Sequence, residues 1–341
     1  MNCHFGTDEG AVPGSFVNQR SVISRVSFRT VRLACGVGVL SYFALVTTGL
    51  LGPDGRQLIS NGATIITPGF AAVATGIAAR ATWGRQRRAW WWVCGSAASW
   101  GLGQLVWTIS EQGLHREVPF PSLADAGYLG AVPLAAIGIA TFFETPTGRL
   151  ARIRLGVEAV MVALSVLLVS WAVILGPLVR AGAESRLEYL IGLAYPVGDV
   201  LVMTIVVVVA AHSRQGTRQS LRWVAIGFAA LVYADTGFAV LNFRGTYASG
   251  AASDLGWVVG YLCIGLAALD SGPVESTRLR GDGWLVRVRE LAPFVVLAVG
   301  GMVVLFHLFH DPGDVLAWWG AVGLLALVTV AVVLASIENG Q

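Results

Sequence analysis

Long apolar runs alternate with short polar segments along the whole chain. Because the hydrocarbon core of a bilayer takes about 20 apolar residues per helix, each run predicts a membrane span. About ten transmembrane helices are expected, so the predicted fold is an all-α polytopic membrane protein. The predicted spans are 31–51, 62–82, 89–110, 123–144, 154–177, 187–211, 220–242, 253–270, 289–309 and 314–336. Residues 1–30 would form an N-terminal tail, 31–336 the transmembrane domain and 337–341 a short C-terminal end.

The composition agrees with a membrane protein. Of 341 residues, 55% are hydrophobic and 13% are charged, and the mean hydropathy is +0.69. Soluble domains carry roughly 25% charged residues. All 23 basic residues are arginine, which with 42 glycines is typical of a GC-rich bacterial genome. The four cysteines are scattered and are interpreted as small apolar residues rather than as a disulfide framework.

The placement of arginines predicts the orientation. Loops on the cytoplasmic side of bacterial membrane proteins carry an excess of basic residues. The N-terminal tail and every second loop are rich in arginine, so we expect both termini in the cytoplasm and the protein in the plasma membrane. The arginines concerned are Arg20, Arg25, Arg29, Arg32, Arg80, Arg85, Arg87, Arg88, Arg149, Arg152, Arg154, Arg214, Arg218, Arg222, Arg278, Arg280, Arg287 and Arg289.

Two helical hairpins have similar patterns of polar and aromatic residues. In the third span Gln104 lies between Trp100 and Trp107, at helical spacing. In the seventh span, 131 residues later, Asp235 has the same position between Leu231 and Phe238. The following spans then begin with an aspartate and an aromatic residue three positions later: Asp125 and Tyr128, Asp254 and Trp257. A parallel helical-hairpin repeat is predicted, with a degenerate third copy around Glu188 and Pro196.

Carboxylates within the spans are the candidates for chemistry. A charged residue in the middle of a bilayer costs about 2.5–3.5 kcal/mol on insertion scales and therefore needs a reason. Asp199, one helical turn after Tyr195, and Asp235 either hold the bundle together or form a ligand or proton site. Asp125 and Asp254 either cap their helices, with Ser122 and Ser253, or contribute to an outward-facing pocket. The candidate ligand-binding set is Gln104, Asp125, Tyr128, Tyr195, Asp199, Asp235, Asp254, Trp257 and Tyr261.

Two other features have less specific signals. One cluster could hold zinc or copper: His307, His310, Asp311 and Asp314. Histidines near a membrane interface are more often ordinary polar residues at the end of a span, so neither a metal nor another cofactor is predicted. Pro133 and Pro196 are predicted kinks that face protein or water, because a proline in a span frees a backbone carbonyl. Nucleotide-binding and hydrolase motifs are absent from the sequence, so an enzyme and a nucleic-acid partner are not expected.

A family resemblance covers roughly residues 30–336. The runs PFPSLADAGYLGAVPL, YPVGDVLVM, DTGF and DLGWVVGYLCIGLAAL resemble the multi-span input domain that precedes PAS, GGDEF and EAL modules in actinobacterial cyclic-di-GMP signalling proteins. The resemblance implies a signalling role. The matching positions are Pro121, Asp125, Tyr128, Pro133, Tyr195, Pro196, Gly198, Asp199, Asp235, Asp254, Trp257 and Tyr261. The sequence contains no GGDEF or EAL motif, so we expect a free-standing input domain, a truncated relative of the family, or a subunit that works through a partner.

The sequence thus favours a non-catalytic membrane sensor or signal-input protein. Its expected partners are the lipid bilayer, an unidentified extracytoplasmic or intramembrane ligand, and a cytoplasmic signalling protein or a second copy of the chain. The last span would carry a change of state inward. The alternative is a secondary transporter of a small solute with carboxylates near the membrane midplane. An intramembrane enzyme acting on lipid-linked substrates and a structural scaffold are further alternatives.

Overall fold

The computed structural model describes residues 25–48, 50–114, 118–143, 148–182, 185–212, 218–270 and 283–339. These residues are about 90% helical, and they contain no strand. The α-helices are α1 Arg25–Thr47, α2 Gly52–Ala81, α3 Gly84–Thr108, α4 Leu123–Phe142, α5 Arg149–Ser170, α6 Gly176–Ala181, α7 Arg186–His212, α8 Arg218–Phe243, α9 Leu255–Leu269, α10 Gly283–His310 and α11 Val315–Asn339.

The protein has an all-α, polytopic membrane fold, as predicted. Among the described residues, 8 helical segments are long and apolar enough to cross a bilayer. The two predicted spans outside this group are α3, which begins with arginines and contains polar and small residues, and α10, whose described apolar part is Val295–His310. The total of ten spans therefore stays a prediction, as does the orientation.

Several helices are longer than the predicted spans. Helix α1 begins at Arg25, so residues 25–30 of the predicted tail are helical, while residues 1–24 lie outside the described part. Helix α11 continues to Asn339, and residues 340–341 lie outside the described part. Helix α2 begins at Gly52 rather than at residue 62, with Pro53 in its first turn, where a proline is favourable. This earlier start places Ser60 and Asn61 inside a helix.

The main core is formed by α2, α3, α4, α7, α8 and α9. Helix α3 packs closely on α2 and α4, and α9 packs closely on α2 and α8. Small residues dominate these interfaces: Ala71, Ala74, Ala78 and Thr75 of α2 are almost fully buried. Small side chains allow helix backbones to approach, which is how membrane helices gain van der Waals contact in the absence of a hydrophobic driving force.

The same backbone contact occurs in both predicted hairpins. A Cβ atom on Gly127 of α4 would lie 2.6 Å from the amide nitrogen of Gly103 and 2.8 Å from the carbonyl oxygen of Ser99, both in α3. A Cβ atom on Gly256 of α9 would clash in the same way with Ala230 and Ala234 of α8. These α8 positions lie 131 residues after Ser99 and Gly103, the offset found in the sequence. The packing therefore supports the predicted parallel hairpin repeat.

A second group of helices surrounds α5. Helices α10 and α11 pack mainly against α5, and Met161, Leu168, Val304, Leu308 and Ala317 are buried between them. Helix α5 ends in a π-helical turn, Trp171–Leu175, which leads directly into α6. The segment 171–182 thus connects the α5–α10–α11 group to the main core.

Of the two prolines predicted to face protein or water, one is buried by protein and the other is exposed on the surface of this chain. Pro196 is buried in α7, as expected for a proline whose freed carbonyl needs a partner. Pro133 is exposed, because the packed face of α4 is formed by Ala131, Ala135 and Ile139 and Pro133 lies away from it.

Candidate functional site

A cavity of about 710 Å³ lies at one end of the main core. It is surrounded by the N-terminal parts of α2, α4, α7 and α9, the C-terminal parts of α3 and α8, and residues 173–182. We call this the cavity end, and the opposite end, where Arg80, Arg85, Arg88 and Arg152 lie, the arginine-rich end. A cavity of this volume is in the range of small-molecule sites.

The structure brings the nine predicted ligand-binding residues together. The large cavity is lined by Gln104, Asp125, Tyr128, Tyr195, Asp235, Asp254 and Trp257. Asp199 and Tyr261 line a smaller cavity of about 60 Å³, and Trp100, Tyr128, Tyr195 and Asp235 line both cavities. The two cavities are therefore adjacent and share part of their wall. The role of these residues in binding a ligand stays a prediction.

Each hairpin of the repeat contributes the same hydrogen bond to the cavity wall. The Tyr128 hydroxyl of α4 donates to the side-chain oxygen of Gln104 of α3 at 2.8 Å. The Trp257 indole of α9 donates to Asp235 of α8 at 2.8 Å. Tyr128 and Trp257 occupy equivalent positions, as do Gln104 and Asp235. The repeat therefore explains why an uncharged amide and a carboxyl group lie at related places in one site.

Two carboxyl groups lie at the deep end of the site. Asp199 and Asp235 line the same smaller cavity, and both are partly exposed to it. Asp199 lies midway along α7, and Asp235 lies about two turns before the end of α8. Trp100 lines the same smaller cavity and is the centre of an aromatic cluster, with ring-centroid distances of 5.1 Å to Tyr128 and 4.9 Å to Tyr261.

Asp125 caps α4, as one of the two interpretations predicted. Ser122 and Asp125 form a capping box: the Ser122 hydroxyl accepts from the amide of Ala124, and the Asp125 carboxylate accepts from the amide of Ser122 at 2.6 Å. The Tyr195 hydroxyl of α7 also donates to this carboxylate. Asp125 therefore caps the N-terminus of α4 and also links α7 to α4 through Tyr195, at the edge of the cavity.

The Asp254 carboxylate links α2, the segment before α9 and the start of α9. The prediction that Ser253 caps α9 is wrong. The Asp254 carboxylate accepts from the Ser60 hydroxyl at 2.9 Å, the Gly250 amide at 2.8 Å and the Tyr247 hydroxyl at 3.3 Å. Asp254 is almost fully buried, and its contacts satisfy it. Residues Ala252–Asp254 form a 3₁₀ turn before α9, which moves Ser253 one residue away from the capping position.

The sequence analysis missed a chain of hydrogen-bonded polar side chains at the cavity end, of which Asn61, Gln104 and Tyr128 line the large cavity. The Ser249 hydroxyl donates to Glu111 at 2.8 Å, and the Asn61 amide donates to the same carboxylate at 2.6 Å. The Gln104 amide donates to Asn61, and Tyr128 completes the chain. The signal for Asn61 was the polar face of Ser60, Asn61 and Thr64, which the predicted span start at residue 62 divided between a loop and a helix.

The histidine cluster is placed at the cavity end, where α10 meets α11. Ligand atoms of His307, Asp311 and Asp314 all lie within 4.8 Å of one another, while His310 instead contacts Phe306. Asp314 is already used by other groups: it accepts from the Trp171 indole at 2.9 Å and the Ala317 amide at 3.0 Å, and His307 lies 3.0 Å away. These contacts fit a helix cap that joins α5, α10 and α11 better than a metal centre.

The pKa of Asp314 reflects these contacts. Its burial raises the pKa, but the hydrogen bonds with His307, the Ala317 amide and Trp171 outweigh burial and lower the pKa to about 2. Asp314 is therefore ionised at neutral pH and stabilises the first turn of α11 through its positive helix dipole.

Comparisons with known proteins identify no relative: no family model, curated protein or solved structure matches the chain. The resemblance to cyclic-di-GMP input domains therefore stays a prediction from the quoted motifs.

Proposed function

We propose that this protein is a signal-input protein of the bacterial plasma membrane that binds a small ligand in the cavity. It would have no catalytic activity of its own and would act through a cytoplasmic partner or a second copy of the chain, with cyclic-di-GMP as the associated signal. The observation that carries the proposal is the cavity of about 710 Å³, lined by side chains from both halves of an internal repeat. A ligand held between two hairpins can change their relative position.

The side of the membrane on which the cavity lies supports a role as a sensor. The cavity lies at the end opposite the arginine-rich loops, which by the positive-inside rule is the outer end. Towards the arginine-rich end, the same helices are filled by tightly packed residues, including Trp90, Ile139, Val206 and Ala267. A site that is reached from outside and closed from inside by a packed core suits a receptor.

A route from the cavity to the last helix is also present. Ile174, Pro177 and Leu178 line the cavity, and Trp171, in the same π-helical turn as Ile174, donates a hydrogen bond to Asp314 at the start of α11. Arg180 of α6 lies 3.7 Å from the same carboxylate. A ligand that moves residues 171–182 would therefore move α11. Such a response requires the ligand to bind two conformations unequally.

The secondary transporter remains the second candidate. The observation that favours it is the placement of Asp199 and Asp235 in one small cavity inside the bundle, since buried carboxyl groups in membrane helices frequently carry protons for transport. The parallel direction of the repeat counts against it, because many transporters are built from inverted repeats.

The test is an output measurement in the producing bacterium. The gene is deleted and replaced by the wild type, by Asp199→Asn or by Asp235→Asn, and cellular cyclic-di-GMP is measured. We expect the deletion to change the cyclic-di-GMP level and both substitutions to prevent restoration at normal protein abundance. If both variants fold and restore the level as well as the wild type does, the site assignment is wrong. If the deletion leaves cyclic-di-GMP unchanged, the link to this signal is wrong.

A further inference from the structure

The charge of the cavity lining is strongly one-sided. Of the lining side chains in the described part of the chain that are acidic or basic, four are carboxyl groups and one is a guanidinium, Arg244, which lies exposed at the rim. The carboxyl groups are Asp125, Glu188, Asp235 and Asp254. A cavity of this kind attracts cations and repels anions.

The carboxyl groups differ in how much of their bonding capacity is already used. Asp125 and Asp254 are buried and accept several hydrogen bonds each from neighbouring hydroxyl and amide groups. Asp235 accepts one hydrogen bond from Trp257 and shares the smaller cavity with Asp199, which is itself a carboxyl group. The Asp199–Asp235 pair is therefore the part of the lining where a donor of positive charge is most favourable.

Two carboxylates in one small cavity repel each other unless a proton or another positive charge lies with them. An ammonium group supplies three N–H donors and a positive charge at the same place, so it can satisfy both carboxylates at once. The smaller cavity, about 60 Å³, is large enough for such a head group but not for a bulky one. The aromatic and aliphatic lining of the larger cavity above it then suits an apolar body.

The aromatic side chains around the pair strengthen this chemistry. Trp100 lines both cavities and lies 5.1 Å from Tyr128 and 5.9 Å from Trp257, measured between ring centroids. A cation within about 6 Å of an aromatic face is attracted to it, most strongly by tryptophan. Carboxylates and aromatic rings around one small space are a common arrangement for binding amines.

We propose that the ligand is a protonated amine with an apolar body, whose ammonium group binds Asp199 and Asp235 in the smaller cavity, which Trp100 also lines. This inference rests on the proposed ligand cavity and specifies its ligand class. The ammonium group donates hydrogen bonds to both carboxylates, and the apolar body lies in the larger cavity. Residues 173–178, which form one side of that cavity, then contact the body and respond to its size.

The test uses the purified full-length chain in nanodiscs and measures binding by tryptophan fluorescence and by calorimetry. The probes are 2-phenylethylammonium, the neutral 2-phenylethanol of similar shape, and the trimethylated ammonium, which lacks N–H donors. We expect saturable binding of 2-phenylethylammonium, with the alcohol and the trimethylated probe weaker by about tenfold or more, because each loses the charge-assisted hydrogen bonds.

Variants locate the site. Asp235→Asn is expected to weaken 2-phenylethylammonium by about tenfold or more and to leave the alcohol nearly unchanged. Asp54→Asn is the matched control, because Asp54 lies in the first turn of α2 and does not line the cavity. Trp100→Leu, which introduces the residue found at the equivalent position of the second hairpin, should also weaken the ammonium probe. The melting temperature of each variant is measured in the same samples.

The outcomes separate this inference from the proposed function. If the alcohol binds as tightly as the ammonium and Asp235→Asn changes neither, the cavity binds ligands but the amine inference is overturned. If the wild type binds none of the probes, the amine inference is also overturned. In that case the proposed signalling role is judged separately, by the cyclic-di-GMP measurement.

Discussion

Replacing Gly127 by alanine tests the packing on which the site depends. The added Cβ atom would lie 2.6 Å and 2.7 Å from the backbone nitrogen and Cα of Gly103, and 2.8 Å from the carbonyl oxygen of Ser99. Ordinary carbon contacts are about 3.5–4.0 Å, so the two helices must separate by about 1 Å. The atoms met are backbone atoms, which cannot rotate away as a side chain can.

The cost can be estimated from the contacts at this interface. Overpacking a close interface costs about 1–3 kcal/mol. Separation also weakens the hydrogen bonds from Ser99 to the Gly127 carbonyl and from Tyr128 to Gln104, both 2.8 Å long. Each such bond contributes about 0.5–1.5 kcal/mol. We therefore expect Gly127→Ala to destabilise the protein by roughly 2–4 kcal/mol, given partial loss of both bonds.

The assay is thermal unfolding in detergent, followed by tryptophan fluorescence. Gly69→Ala in α2 is the control, because a Cβ atom there meets nothing within 4 Å. That substitution should leave stability unchanged or raise it by up to about 1 kcal/mol, since glycine is the less favourable residue in a helix. Gly256→Ala, the equivalent change in the second hairpin, should behave like Gly127→Ala. Equal melting temperatures for Gly127→Ala and Gly69→Ala would refute this reasoning.

Three further predictions concern the hydrogen bonds that shape the cavity and its link to α11. Tyr128→Phe removes one neutral hydrogen bond and should cost about 0.5–1.5 kcal/mol in thermal unfolding. A loss of stability of more than about 3 kcal/mol would show that other contacts depend on the hydrogen bond between Tyr128 and Gln104. Trp171→Phe should preserve binding of 2-phenylethylammonium but reduce the cyclic-di-GMP response, and an unchanged response would refute the proposed route to α11. Asp314 has a pKa lowered to about 2, below the ordinary aspartate value, so its stabilising contribution is complete above about pH 4 and is lost as the pH falls towards 2. In acid titrations followed by fluorescence, Asp314→Asn should therefore remove part of the difference between pH 5 and pH 2, and an unchanged titration would contradict this assignment.

Much of the architecture could be predicted because it rests on local pattern. Apolar runs of bilayer length indicate helices whatever their partners are, and the equal spacing around Gln104 and Asp235 indicates related hairpins. The hydrogen bonds from Tyr128 and Trp257 and the close contacts of Gly127 and Gly256 show the same relation in three dimensions.

The remaining parts of the site depend on tertiary structure. The hydrogen bond between Tyr195 and Asp125 joins residues far apart in sequence, and no local signal indicates it. Glu111 lies in a π-helical turn that extends α3 beyond the predicted span, so its contact with Asn61 could not be anticipated. The wall formed by residues 171–182 results from a second π-helical turn, whose position the apolar sequence does not reveal.

Access to the cavity from the two sides of the membrane is the most direct test of the central claim. The cysteines Cys3, Cys35, Cys94 and Cys263 are replaced, and single cysteines are introduced as Ala239→Cys in the large cavity and Val232→Cys in the small one. A membrane-impermeant thiol reagent is applied to intact cells or to inside-out vesicles. Arg88→Cys at the arginine-rich end is the control for orientation.

A sensor with an outward-facing site predicts labelling of both cavity cysteines in intact cells and no labelling in inside-out vesicles. The control cysteine should show the opposite sidedness. Labelling of the cavity cysteines from both sides, redistributed by a bound solute, would contradict the sensor and make the protein a transporter.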